Sequence, residues 1–142
     1  MTRPVRIASA ALLVIYLLVL LWLTLLILPG DHPAPNLVPF RSIAYDLWKG
    51  GRDLQVNFLG NIVAFMPLGI LIPLTRLRPT PAWQVAAWSA FLSAGIEVAQ
   101  YCSGRRVADV DDVILNALGG LIGYAFYRAW LRITSRSSPP RS

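Results

Sequence analysis

Four apolar runs, over residues 7–28, 56–74, 82–101 and 112–131, dominate this chain. Each is close to the roughly 20 residues a helix needs to cross a bilayer. Only 14% of the 142 residues are charged, against about a quarter in a typical soluble domain. That is too little charge to cover a water-facing domain. The expected architecture is an all-α polytopic membrane protein, with one domain over residues 1–131 and four transmembrane helices. A disordered cytoplasmic tail is expected over residues 132–142, which are basic and rich in Ser and Pro. The first run is longer than the ~7–15-residue apolar core of a signal peptide. It ends Leu28-Pro29-Gly30-Asp31, with no small-residue cleavage site, so it reads as an uncleaved span stopped by Pro29 and Gly30.

The net charge is +6, and 12 of the 13 basic residues are Arg. In a soluble protein such a balance suggests nucleic acid. Here the basic residues flank apolar runs, where they set orientation, and no nucleic-acid partner is implied. An even number of spans puts Arg3, Arg6, Arg76, Arg78, Arg128, Arg132, Arg136 and Arg141 on one side. Arg41, Lys49, Arg52, Arg105 and Arg106 fall on the other. By the positive-inside rule both termini are cytoplasmic. Cys102 is the only cysteine, which excludes an intrachain disulfide.

The longest loop follows the first span and lies on the outer side. Within it Phe40, Ile43, Ala44, Leu47 and Trp48 recur at helical spacing, with Arg41, Ser42, Asp46 and Lys49 on the opposite face. The piece is too short to span. A short interfacial amphipathic helix in the first outer loop fits, as does a helix packed on the ends of the bundle. Gly50-Gly51 is a suitable stop. Pro67 lies inside the second span and removes a backbone hydrogen bond. Ala86, Ala90 and Ala94 form a small-residue row in the third, and Gly119 and Gly123 a GxxxG pair in the fourth. Both patterns permit close helix contact. Trp83 and Trp130 stand near span ends as interface anchors.

All seven carboxylates fall in two places. Asp31, Asp46 and Asp53 lie in the first outer loop, and Glu97, Asp109, Asp111 and Asp112 lie at the junction of spans three and four. Asn57 and Asn61 share a helical face, as do Ser89, Ser93 and Glu97, and Asp112 and Asn116. Asn61, Glu97 and Asn116 each sit about one turn inside the outer end of a span, roughly 6 Å below the boundary. An acid in a membrane helix costs ~2.5–3.5 kcal/mol and needs a partner. Asn57, Asn61, Gln100 and Asn116 can donate to Glu97, with Arg106 as countercharge. Asp109, Asp111 and Asp112 offer oxygen ligands suited to Ca²⁺ or Mg²⁺. They lack EF-hand spacing, and helix N-capping is the alternative, so no metal or other cofactor is assigned.

Several ordered segments carry a resemblance. These are Asn36-Leu-Val-Pro-Phe40; Asn57 with Asn61-Ile-Val-Ala-Phe-Met-Pro67-Leu-Gly69; Glu97-Val-Ala-Gln100; and Arg106-Val-Ala-Asp109-Val-Asp-Asp112-Val-Ile-Leu-Asn116-Ala-Leu-Gly119-Gly-Leu-Ile-Gly123-Tyr124. Together they resemble the VanZ-like family over residues 36–124. Arg105 departs from the pattern, standing where members often have Gly. The resemblance implies a multi-pass protein of the bacterial cytoplasmic membrane, in some members linked to resistance to glycopeptides such as teicoplanin. It implies no known reaction.

The expected function is recognition at the outer leaflet of a lipid-linked peptidoglycan precursor, a lipid head group or a glycopeptide. Asn57, Asn61, Glu97, Gln100, Arg106, Asp109, Asp112 and Asn116 are the candidate ligand-binding residues. The alternative is a membrane-embedded hydrolase or transferase acting on a lipid-linked substrate, with Glu97 as general acid/base and Arg106 holding phosphate. For that reading the nearest nucleophile, Ser93, lies a turn deeper, and no His is near. A small transporter is a third reading; four spans leave little room for a pathway within one chain.

Overall fold

The computed structural model describes residues 2–27, 35–104 and 108–136. All regular structure among them is helical. Helix α1 covers Arg3–Trp22 and widens into a π-helical turn at Leu23–Ile27. Helix α2 is Arg41–Lys49, and α3 is a single turn at Gly51–Asp53. A π-helical stretch, Leu54–Leu59, leads into α4, Gly60–Thr75. Helices α5, Ala82–Cys102, and α6, Val110–Arg136, complete the chain.

Two stretches, Arg3–Leu25 and Leu54–Thr75, are long and apolar enough to cross a membrane. Helix α5 has 21 residues and α6 has 27, so both match in length. Their mean hydropathy is lowered by polar residues that the fold turns inward: Ser89, Ser93, Glu97 and Gln100 on α5, and Asp112 and Asn116 on α6. Their outward faces are apolar, with Trp83, Trp88, Phe91 and Val98 on α5 and Leu118, Phe126 and Trp130 on α6 all exposed. Among the described residues ten polar side chains are buried against nine apolar ones. That arrangement is the reverse of a water-soluble core.

Helices α4 and α6 run parallel and meet backbone to backbone. A Cβ added at Gly119 would overlap the Ile62 carbonyl, and one at Gly123 the Met66 carbonyl. From the other side, a Cβ at Gly69 would overlap the Gly120 carbonyl. The four-residue step is the same on both helices, so the two lock in register, as small-xxx-small pairs allow. Helix α5 packs antiparallel on the same part of α6, with Ser89 against Gly120 and Ser93 bonded to Asn116. The contact row of α5 is therefore its serine row. The alanine row expected to make close contacts is half-buried at Ala86 and Ala90 and exposed at Ala94.

Helix α1 lies against α4. The Tyr16 hydroxyl donates to the Ala64 carbonyl, beside the Val63 carbonyl that Pro67 deprives of its usual donor. Leu20, Phe65, Leu68, Ile72, Val85, Ile96 and Tyr124 form the apolar core. At the far end Tyr124 donates to the Thr80 carbonyl at 2.8 Å. It accepts from Arg128 at 3.1 Å.

The C-terminal end differs from expectation. Helix α6 continues five residues past 131, to Arg136. Thr134 bonds back to the Trp130 and Leu131 carbonyls, each at 3.1 Å. Arg132 adds positive charge near the negative end of the helix dipole. The rest of the expected tail, and the expected stop at Pro29 and Gly30, lie outside the described residues.

Helix α2 forms where the spacing predicted, ending at Gly50 with φ +63°. It faces the bundle with its polar side. Asp46 is buried, whereas Phe40, Leu47 and Trp48 point away, Trp48 being 83% exposed. Of the two faces it is the polar one that packs on the bundle, because its partners are the polar ends of α4 and α6.

Candidate functional site

The first two turns of α6 organise the polar end of the bundle. An isolated parallel bridge joins Asn36 to Asp109. Asn36 N–H donates to the Ala108 carbonyl, and Val110 N–H donates to the Asn36 carbonyl, both at 3.0 Å. The Asn36 amide then donates to Asp109 Oδ1 and to Ser42 Oγ, both at 2.9 Å. The Ser42 hydroxyl donates to Asp109 Oδ2 at 2.5 Å. Asp109 Oδ1 also accepts Asp111 N–H at 2.9 Å, capping α6.

Asp111 caps a different helix. Its carboxylate accepts the backbone N–H groups of Phe40, Ser42 and Ile43, the last two at 2.7 and 3.2 Å. These are the free donors at the start of α2. Phe40, which precedes α2, adopts a left-handed backbone with φ +67°, a conformation uncommon for a bulky residue. N-capping was the expected alternative to metal binding for Asp111. It is realised across the fold, on α2, not on Asp111's own helix. Among the described residues no group of three or more His, Cys, Asp or Glu is arranged to hold a metal.

A second layer lies beneath. Glu97 Oε2 accepts Asp109 N–H at 2.9 Å. Asn61 donates to Asp112 Oδ1 at 2.6 Å and to the Asn57 carbonyl at 2.8 Å. Asn57 sits in the π-helical stretch, where wider winding frees carbonyls from their usual partners. Its own amide reaches Asp46 Oδ1 at 3.5 Å, a long contact. Asn116 donates to Ser93 Oγ at 2.7 Å. Gln100 donates at 2.9 Å to the carbonyl of Thr24, in the π-helical turn after α1.

The structure therefore brings Asn61, Glu97, Asp109, Asp112 and Asn116 together around the start of α6. Asn57 is one step further out, and Gln100 is directed toward α1. One expectation is corrected: the amides of Asn57, Asn61, Gln100 and Asn116 do not converge on Glu97. Each has a nearer acceptor, and the N-terminal turn of α6 supplies the Asp109 donor that Glu97 takes. Arg106 lies outside the described residues. Five residues now seen in the network, Asn36, Ser42, Asp46, Ser93 and Asp111, were not among the candidates. Asn36, within the Asn-Leu-Val-Pro-Phe segment, was the most legible of them.

The chemistry is that of acceptors. Asp111, Asp46, Asp112 and Glu97 are buried, with 1, 5, 6 and 7% of their surfaces exposed. Burial this deep demands donors. Every amide NH₂ named above is spent inside the protein. Two amide oxygens, Gln100 Oε1 and Asn116 Oδ1, are buried without a hydrogen-bond partner among the described residues. Such groups are ordinarily satisfied, and water or a ligand donor can fill them. Ser93 Oγ, the nearest nucleophile to Glu97 on α5, is engaged as the acceptor of Asn116.

The model of the VanZ/LLP1 family matches residues 13–132. Protein VanZ of Enterococcus faecium is 27% identical over 130 residues, covering 86% of this chain and 74% of that protein. No solved structure gives a significant match. With the family model covering both the bundle and its polar end, the chain belongs to the VanZ/LLP1 family.

Proposed function

We propose that the chain crosses the bacterial cytoplasmic membrane four times with both termini cytoplasmic, through α1, the Leu54–Thr75 stretch, α5 and α6. Its outer end presents a polar site that binds a lipid-linked cell-wall precursor, a lipid head group or a glycopeptide, contributing to glycopeptide resistance. The observation that carries this reading is the burial of four carboxylates at one end of a bundle whose sides are apolar. Intramembrane ionisable groups default to function. Support also comes from α2 and the residue before it, where exposed Phe40, Leu47 and Trp48 suit the lipid interface beside that site. The resistance link comes through the VanZ family.

Cys102 offers a test of the topology, because it is the single cysteine, is exposed and is the last residue of α5, at its polar end. A membrane-impermeant maleimide should label it in intact cells. Labelling only after permeabilisation would reverse the orientation.

The site is tested by expression in a teicoplanin-sensitive host, with the inhibitory concentration measured for wild type and two variants. Glu97→Gln keeps an acceptor for Asp109 N–H, so a binding site should retain protection within about twofold, under ~0.5 kcal/mol. Glu97→Ala strands that buried donor, at about 1–3 kcal/mol, and should lose protection. An acid/base enzyme would instead lose activity in Glu97→Gln as well. Absence of protection by the wild type, at normal expression, would remove the resistance role.

A second readout separates binding from scaffolding at Gln100. Its one described hydrogen bond is offset by a stranded oxygen, so Gln100→Met should change thermal stability by less than about 1 kcal/mol. If Gln100 contacts the ligand, protection falls while the melting temperature holds. A fall in both assigns Gln100 to helix packing.

A further inference from the structure

A second feature lies at the opposite end of the molecule from the polar site. The turn between α4 and α5 and the outer face of α5 form an open lateral groove of about 560 Å³. Arg76, Trp83, Gln84, Ala87, Trp88 and Phe91 line it. The size is within the range of small-molecule sites. The Trp88 and Phe91 rings meet edge to face at 6.2 Å and form a stiff wall.

Polarity along the groove is graded. Arg76 and Gln84 stand at one end, and aromatic rings continue from there along the helix. The Arg76 backbone N–H donates to the Pro73 carbonyl at 3.3 Å, while its guanidinium makes no hydrogen bond or ion pair among the described residues and is exposed. Arg128, by contrast, donates to the Tyr124 hydroxyl and lies over that ring at 5.9 Å, so its charge is committed. From Trp83 to Phe91 the helix rises about 12 Å, close to the roughly 15 Å of one leaflet's hydrocarbon. The lining therefore extends over most of the thickness of one leaflet, aromatic along α5, with a cation at one end.

From this we infer that the groove seats an anionic phospholipid of the leaflet on the Arg76 side. Arg76 and Gln84 hold the phosphate, and an acyl chain lies along Trp83, Ala87, Trp88 and Phe91. Guanidinium suits phosphate because its donors are fixed in a fork. By the orientation proposed above this is the cytoplasmic leaflet, where anionic lipids concentrate. The inference rests on that membrane-spanning reading.

Fluorescence quenching separates the two. Single-Trp variants retain either Trp88 or, as a control, Trp22, with the other Trp residues changed to Phe. All five positions are exposed, so the fold should tolerate this. Each variant is reconstituted in phosphatidylcholine vesicles containing equal fractions of brominated phosphatidylglycerol or brominated phosphatidylcholine. Trp88 should favour the phosphatidylglycerol about fivefold, the effect of one basic residue at an anionic surface. Arg76→Gln should abolish the preference. Trp22, with no basic residue in the last turn of α1, should show none. Equal quenching of Trp88 by both lipids, or a preference untouched by Arg76→Gln, overturns the inference and leaves the spanning reading intact. Quenching of Trp22 alone assigns the groove to a second copy of the chain and also overturns it. Quenching of neither tryptophan removes the membrane reading itself.

Discussion

Asp111→Ala should release α2 from the bundle. The carboxylate accepts three backbone N–H groups and is 1% exposed, so alanine leaves three donors stranded with little access to water. A typical N-cap contributes ~1 kcal/mol and up to ~2. Three bonds to one buried charge should exceed that, and hydrogen bonds to charged groups contribute about 1.5–3 kcal/mol each. The expected loss is about 3–5 kcal/mol, concentrated in the docking of α2. Amide exchange over residues 40–49 should rise steeply while protection over residues 60–75 stays. Asp111→Asn, which keeps one acceptor, should fall between. Unchanged exchange in α2 would show that some other contact holds it.

Gly123→Ala should be the most damaging single-methyl change in the bundle. The added atom meets the Met66 carbonyl, a backbone group that cannot swing aside. Overpacking of this kind costs about 1–3 kcal/mol, and the rigid neighbour puts Gly123 at the upper end. Gly123→Leu should prevent α4 and α6 from associating. The control is Gly95→Ala, where an added Cβ meets nothing within 4 Å. Helix propensity alone then predicts a gain of up to about 1 kcal/mol. Melting temperatures in one detergent decide the matter. A Gly123 variant as stable as the Gly95 variant would show that the helices separate at little cost.

The helices themselves were legible because their signal is local. Twenty apolar residues between charged turns define an element whatever lies beside it, and the expected limits of α5 agree with the observed ones to within one residue. The 3.6-residue spacing from Phe40 to Trp48 was enough to place α2. The GxxxG pair likewise marked the surface on which α6 meets its neighbour.

Pairing across the fold left no such trace. Asp111 sits among residues that suggest a cap for α6, and nothing near it indicates that its partners are 68, 69 and 71 residues earlier. The amides of Asn61, Gln100 and Asn116 were legible as hydrogen-bonding groups, and each donates within the bundle. Their acceptors depended on helix rotation and on two π-helical widenings, at Thr24 and Asn57, which composition does not reveal. The direction of α2 was hidden for the same reason. An amphipathic pattern gives two faces, and only the neighbours decide which one turns inward.

The Asp111 clasp also has a consequence for biosynthesis. Chain emerging from the ribosome exposes residues 36–49 long before it delivers residue 111. Throughout that interval the start of α2 has no acceptor from the last helix, and the Asn36 bridge has no Asp109 to meet. The geometry of the polar end is completed only when the last helix arrives, so a nascent protein stalled earlier displays an open, unfinished face.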